Sequence, residues 1–375
     1  MHRVITLEQE QILISKKIGK DKKMIEIVEK KKCSGCTACY SICPIKCIEM
    51  KEDKEGFKYP LVNQNECIFC GKCIKICPFI NENFSENILS VYGCQSKNKD
   101  ILIQSASGGF FSLLAEYIIS VGGVVYGAVY NDKFEVIHER FDDQNGISKL
   151  RSSKYSQSEK SDIFERVKND LKNSKKTLFS GTPCEISGLK RYLQDENENL
   201  ILVEVLCYGV PSPKIFREYL EYLEKKEMSK ITKINFRSKD VGITSLKIEF
   251  ENGQIYKRNS SEDFYYNSFF SCVNMRPSCY DCKSNNHRSG ADLTLGDYWG
   301  CSNKFKMWDE NKEGVSLVII RTSKAEIYFE LLKDKINYKE TSLEHAIINN
   351  KSIVESCKEN PLRDNFFKNY KLRMK

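Results

Sequence analysis

The chain has 375 residues, 41% of them hydrophobic, a formal charge of +8 and seventeen cysteines. That length calls for two or three domains and gives enough apolar residues for a core. The lysines are scattered and not gathered into a tract, which argues against nucleic acid as a partner. The longest mostly apolar run, 117–130, is broken by glycines and falls short of the roughly 20 residues a membrane span needs. With no secretory leader in view, the expected setting is cytoplasmic, and clustered cysteines there mean metal or catalysis, not a disulfide scaffold.

Residues 1–23 read as a Lys-rich extension whose apolar patch, Ile12 to Ile14, is too short for a signal core. Residues 24–82 hold a duplicated cysteine run. Cys33, Cys36, Cys39 and Cys43 are followed by Pro44, and Cys67, Cys70, Cys73 and Cys77 by Pro78. Both runs are C-x₂-C-x₂-C-x₃-C-P, the spacing of bacterial two-cluster 4Fe–4S ferredoxins, in which the fourth Cys of each run serves the other cluster. The expected sets are therefore Cys33, Cys36, Cys39 and Cys77, and Cys67, Cys70, Cys73 and Cys43. Zinc sites use two distant C-x₂-C knuckles or add His, which this spacing does not match. Clusters of charge about −2 would offset most of the basic excess. Cys47 has no spacing partner and reads as a packed residue. Residues 81–87 read as a linker.

From Val91 the pattern alternates strand and helix, giving regions 83–170 and 171–340 and a C-terminal helical tail, 341–375. The expected fold is α+β and α/β: a small N-terminal ferredoxin domain, then a larger domain with a mixed sheet flanked by helices. Strands are expected at 124–130, 177–180 and 200–207, helices at 110–118, 184–193 and 215–223, and a hairpin turning at Asn252 and Gly253. Beyond Lys324 only helices are expected. Cys184 and Cys207 frame a βαβ unit, so both follow parallel strands and emerge on one sheet edge. With the C-x₂-C of Cys279 and Cys282 they make a plausible four-thiolate site. Zinc, or buried cysteines without a ligand role, fit the same residues, with Cys272 and Cys301 as rival ligands. Cys94 and Cys357 read as isolated. No dinucleotide fingerprint or Walker motif is present.

Eight motifs then fall in a recognisable order. They are Ser107-Gly108-Gly109-Phe110, Gly127-Ala128-Val129-Tyr130, Arg151-Ser152-Ser153-Lys154-Tyr155 with Gln157-Ser158, and Ser180-Gly181-Thr182-Pro183-Cys184. After these come Cys207-Tyr208-Gly209-Val210-Pro211-Ser212-Pro213, Phe236-Arg237-Ser238-Lys239, Arg276-Pro277-Ser278-Cys279-Tyr280-Asp281-Cys282 and Gly296-Asp297-Tyr298-Trp299-Gly300. Over roughly 24–340 the chain resembles the coenzyme F(420) hydrogenase/dehydrogenase beta-subunit family in its version with an N-terminal ferredoxin module.

The resemblance implies FAD, a third 4Fe–4S cluster on Cys184, Cys207, Cys279 and Cys282, and electron transfer to a deazaflavin or another two-electron small-molecule substrate, in some members beside cell-surface polysaccharide genes. The donor would be a ferredoxin-like redox carrier, or the chain would serve as a non-catalytic subunit beside a hydrogenase or dehydrogenase partner. Flavin contacts would come from Ser107, Gly108 and Gly109 at a helix start, Lys154 as counter-charge, and Tyr155, Gln157 and Ser158. A plain helix cap and a surface cation fit the first four equally well. Glu185 stands where the family commonly has Gln, and Tyr208 where it commonly has His. Asp297 and His287 complete the candidate catalytic set, although a turn and a loop histidine would account for both.

Overall fold

The computed structural model describes residues 24–81, 84, 88–239, 242, 244–308 and 313–374. The extension expected at 1–23 and most of the linker expected at 81–87 lie outside them.

The N-terminal module has one antiparallel pair, β1 (Ile48–Glu52) and β2 (Lys58–Val62), and two short helices, Ala38–Ile42 and Lys72–Lys75. Each helix begins at a left-handed residue, Thr37 in one half and Gly71 in the other. A second left-handed pair, Gly35 and Phe69, sits two residues past the first Cys of each run. These matched reversals coil each C-x₂-C-x₂-C loop and express the sequence duplication in the backbone. The module's interior is largely sulfur: Cys39, Cys43, Cys47 and Cys73 pack with Ile25 and Ile48. A unit this small rarely closes on hydrocarbon alone.

The larger domain is built on an eight-stranded mixed sheet. Its strands, with those of a small second sheet, are β3 (Ser90–Ser96), β4 (Val124–Tyr130), β5 (Val136–Phe141), β6 (Thr177–Gly181), β7 (Leu200–Val205), β8 (Ile231–Asn235), β9 (Ser245–Phe250), β10 (Ile255–Asn259), β11 (Leu293–Asp297), β12 (Ser316–Ile320) and β13 (Ile336–Thr341). The main order is β13-β3-β12-β11-β7-β6-β4-β5, parallel from β4 through β6 and β7 to β11 and antiparallel at both flanks. β6 and β12 are buried at every residue, as strands covered on both faces must be.

Alternation sorts their side chains. Leu178, Ile201 and Val203 meet helices Phe110–Ser120 and Ser323–Leu332 on one face. Phe179, Leu200 and Leu202 meet helices Ile163–Lys172 and Pro183–Leu193 on the other. β8, β9 and β10 form the second sheet, whose hairpin turns at Asn252 and Gly253 as expected.

One expectation changes. The segment past Lys324 adds β13, a polar edge strand paired with β3, whose mostly exposed side chains hide the strand signal. Regions 83–170 and 171–340 both contribute strands to the one large sheet. The tail helix Arg363–Met374 packs Phe366 and Tyr370 against the small sheet's core.

Candidate iron–sulfur sites and the contact between them

In the N-terminal module, the Cys39 thiol faces Cys36, Cys33 and Cys77 and, more weakly, Cys73 of the other set, and Cys77 faces Cys36 and Cys33. Cys43, Cys67, Cys70 and Cys73 line a separate pocket. The two groups are thus drawn across the two runs. Cys47, read as a bystander, lines that second pocket too, its Sγ 3.5 Å from that of Cys43. The spacing rule has no place for a fifth thiol, so the sequence carried no signal for it.

Backbone N–H groups point at these sulfurs, with Ile25 donating to Cys73 Sγ at 3.2 Å and Phe69 to Cys67 Sγ at 3.4 Å. Burial, reinforced by neighbouring thiols, pushes Cys39 up strongly and Cys77 to about 12. Crowded thiols that resist ionisation alone, yet receive N–H donors, suit a cationic iron core that takes them as thiolates.

Cys184 and Cys207 follow the parallel neighbours β6 and β7. Cys184 is the second residue of helix Pro183–Leu193, whose start is fixed by a capping box between Thr182 and Glu185. The chain after Cys207 runs antiparallel beside the segment leading to Cys279: Arg276 N–H donates to Val210 C=O at 2.9 Å and Ser212 N–H to Asn274 C=O at 3.1 Å. Gly209, at φ 131°, lets this happen, since a Cβ there would lie 3.0 Å from Met275 Sδ.

The result brings all four thiols together. Cys207 faces Cys279, Cys184 and Cys282. Burial raises all four, most strongly Cys184 and Cys207, and Val210 N–H donates to Cys279 Sγ at 3.4 Å. Among the described residues no three His, Cys, Asp or Glu side chains converge tightly enough for a single metal ion. Of the rival ligands, Cys301 lies in a separate core with Tyr298 and Trp308, whereas Cys272 packs beside Cys279 together with Cys357. Cys357 is therefore not isolated.

Two residues join the third thiol group to the module. Gly188 packs on Cys36: a Cβ there would stand 2.8 Å from Cys36 Cβ and 3.1 Å from its Sγ. Gly188 and Cys184 are one turn apart on a helix rising about 1.5 Å per residue, so about 6 Å of helix axis separates the Cys36 contact from the third group. Gly188→Val is expected to displace Cys36 and lower bound iron by about four per chain, read by iron analysis; unchanged iron contradicts the contact.

Arg276, three residues before Cys279, is fully buried. It donates to Cys33 C=O at 2.7 Å, Lys58 C=O at 3.0 Å and Gln157 Oε1 at 2.9 Å, and stacks 4.3 Å from the Tyr59 ring centroid. Its Nη2 also lies 3.7 Å from Cys33 Sγ. Ion pairs of Lys46 with Glu165, Lys58 with Glu159 and Arg363 with Glu55 tie down the rim.

The candidate acid–base residues are held as structure. Glu185 accepts from Thr182 N–H at 2.9 Å and from buried Lys160 at 2.9 Å. Burial opposes its charge, but Lys160 and His138 win and bring it to about 2. It stays ionised at neutral pH. Its stabilising effect is complete above about 4.5 and is lost as pH falls toward 2. Glu185→Gln is expected to cost about 3 kcal/mol by stranding Lys160 and, with that counter-charge gone, to let burial pull the Lys160 ammonium down toward neutral pH; urea titrations between about pH 5 and 8 check both.

Asp297 is paired in bidentate fashion with Arg237 at 2.7 and 2.9 Å. Arg321 donates to His287 Nδ1 at 3.0 Å, which places the neutral proton on Nε2, a buried atom with no partner among the described residues. Burial and Arg321 lower His287 to about 4, so it is a neutral donor at pH 7. Tyr208 leans on Phe269 and Phe270 beside Cys272.

The seven candidate flavin residues do not converge on one cradle. Gly108 packs on Cys94 and Ser316, and Ser107 Oγ donates to Val315 C=O at 2.8 Å. The Lys154 ammonium is spent on the carbonyls of Lys149, Leu150, Arg151 and Ser152, capping helix Gln144–Leu150. Tyr155 belongs to an aromatic cluster with Phe236, Tyr266 and Phe269. Gln157 bridges Ser34 and Arg276, and Ser158 meets His138. The cavity beside Gln157 and Ser158, about 120 Å³, is too small for a dinucleotide. The cation that does border Ser107 is Lys239, whose ammonium donates to its carbonyl at 2.8 Å. Its place in the Phe236-Arg237-Ser238-Lys239 motif was the available signal.

Two stretches of the chain match known protein families. Residues 174–345 match the family described as the C terminus of the coenzyme F420 hydrogenase/dehydrogenase beta subunit, and residues 32–81 match the 4Fe-4S dicluster domain. Over these two stretches the chain is similar to the coenzyme F420 hydrogenase/dehydrogenase beta subunit and to dicluster 4Fe-4S domains. A curated relative, the F subunit of the F(420)H(2) dehydrogenase of Methanosarcina mazei, is 21% identical over 333 residues, 85% of this chain and 87% of that protein. A solved chain from the F420-reducing [NiFe] hydrogenase complex of Methanosarcina barkeri is 16% identical with a TM-score of 0.48, covering 78% of this chain and 92% of that one. The C-terminal match spans Cys184, Cys207, Cys279 and Cys282, and the dicluster match spans the eight cysteines of the two runs. Among the described residues no helix is long and apolar enough to cross a membrane.

Proposed function

We propose that this beta-subunit-type chain is an iron–sulfur electron-transfer protein carrying three four-iron clusters, working between a one-electron carrier at the dicluster module and a two-electron partner at the C-terminal domain. Four-iron clusters supply one-electron storage and transfer. The chain's own residues bring the three thiol groups together, dock the module, and direct N–H groups at the sulfurs. The observation that carries the proposal is the seating of Cys36 on Gly188, one helical turn from Cys184. Arg276 supports it by placing a buried positive charge beside Cys33, a location that favours the more negative, reduced state of a bound cluster. Anaerobic reconstitution tests it: about twelve irons per chain are expected, and about eight would remove the third site.

A second reading adds a flavin and a deazaflavin-type substrate, making the chain an enzyme in its own right. One arrangement favours it: helix Phe110–Ser120 starts at Gly109 without a side-chain cap, and Lys239 lies beside it. Since the seven candidate residues lie apart, no flavin step is derived. Flavin content and diaphorase activity of the isolated chain separate the two readings.

A further inference from the structure

Outside the three thiol groups, two cysteines far apart in sequence meet. Cys272 follows helix Phe264–Phe270, and Cys357 lies in the C-terminal segment. Their side chains are buried in one cluster with Phe269 and Met275, 5% and 7% exposed. The segments carrying them are fastened together. Asn360 donates to Ser271 C=O at 2.8 Å, Asn285 to Glu355 C=O at 2.9 Å, and Cys282 N–H to Ser356 Oγ at 3.0 Å. Tyr280 O–H fixes the Cys272 carbonyl at 2.6 Å. Cys357 Sγ reaches the Cys279 carbonyl at 3.7 Å, so the pair abuts the third thiol group. Tyr208 caps it: its ring is partly exposed, leans on Phe269 and Phe270, and its hydroxyl donates to Phe270 C=O at 3.4 Å.

We propose that Cys272 and Cys357 form a redox-active dithiol that closes to a disulfide at the edge of the third thiol group. Two S–H bonds break and one S–S bond forms as an exogenous disulfide, by thiol–disulfide exchange, takes up the two electrons and two protons and leaves as two thiols. Opening consumes the same numbers, with electrons delivered singly by two equivalents of a reduced ferredoxin-class carrier. Tyr208, partly exposed and packed on Phe269 and Phe270, stands between the pair and solvent. The site would couple one-electron supply to a two-electron store without a flavin. Only this coupling rests on the third cluster; the dithiol chemistry stands without it.

The test uses anaerobically purified holoprotein treated with one equivalent of diamide, which takes two electrons and two protons. Free thiols are then trapped with N-ethylmaleimide and peptides are read by mass spectrometry, with iron measured on the same samples. The expected result is loss of two alkylatable thiols per chain, a Cys272–Cys357 linked peptide, unchanged iron, and reversal by reduced ferredoxin. Cys272→Ser should abolish the linked peptide and keep all iron. Tyr208→Ala, which uncovers the pair, should speed closure. Full alkylation of both residues after diamide in the wild type and in Tyr208→Ala overturns the proposal. So does loss of about four irons in Cys272→Ser or Cys357→Ser, which would make them ligands. A linked peptide in protein holding about eight irons supports the dithiol and removes the third site alone.

Discussion

Cys184→Ala is expected to lower iron from about twelve to about eight per chain while leaving the two dicluster signals intact. Cys184 faces Cys282 and Cys279 and has no spare thiol from its own helix. Its replacement leaves three thiols in a buried pocket, and an incompletely ligated cube there exposes an iron. The dicluster sets share no residue with this group, and Cys36 touches the helix at Gly188, not at Cys184 itself. Low-temperature EPR of the reduced variant should therefore keep the signal of two interacting clusters and lose any third component. Unchanged iron and spectra would show that Cys184 is a buried thiol with no ligand role.

Arg276→Ala should be the most damaging single change away from the cysteines. Removal of the guanidinium leaves the carbonyls of Cys33 and Lys58 and the Gln157 side chain without their donor, and strips a cation from the Tyr59 face. Hydrogen bonds to charged groups contribute about 1.5–3 kcal/mol each and are not additive, so a loss of about 3–5 kcal/mol is expected. Arg276→Lys keeps the charge but not the fork and should recover only part of it. Urea unfolding of both variants checks the magnitude. A second readout separates docking from general stability: with positive charge gone from beside Cys33, one dicluster potential should fall, and Arg276→Lys should restore it. Equal potentials in all three proteins would mean Arg276 is only a brace.

The cysteine groups were legible because metal chemistry imposes fixed spacing, and the edge position of Cys184 and Cys207 because parallel strands emit their loops on one side. The buried strands β6 and β7 and the Asn252-Gly253 hairpin were legible for the same local reasons. What escaped notice was set by long-range packing. Cys47 and Cys357 meet their partners through the fold. Lys154 looked like a counter-charge until four carbonyls claimed it. Glu185, Asp297 and His287 were candidate acids and bases, yet each faces a buried cation or guanidinium that sequence spacing could not supply. β13 hid because an edge strand of polar residues carries no alternation.

Protein purified without oxygen and assayed for iron, acid-labile sulfide and zinc tests the central claim most directly. About twelve irons and twelve sulfides per chain, with negligible zinc, are expected. A colourless chain that takes up neither iron nor sulfide on reconstitution, or one that fills its thiol groups with zinc, would contradict the account at its root.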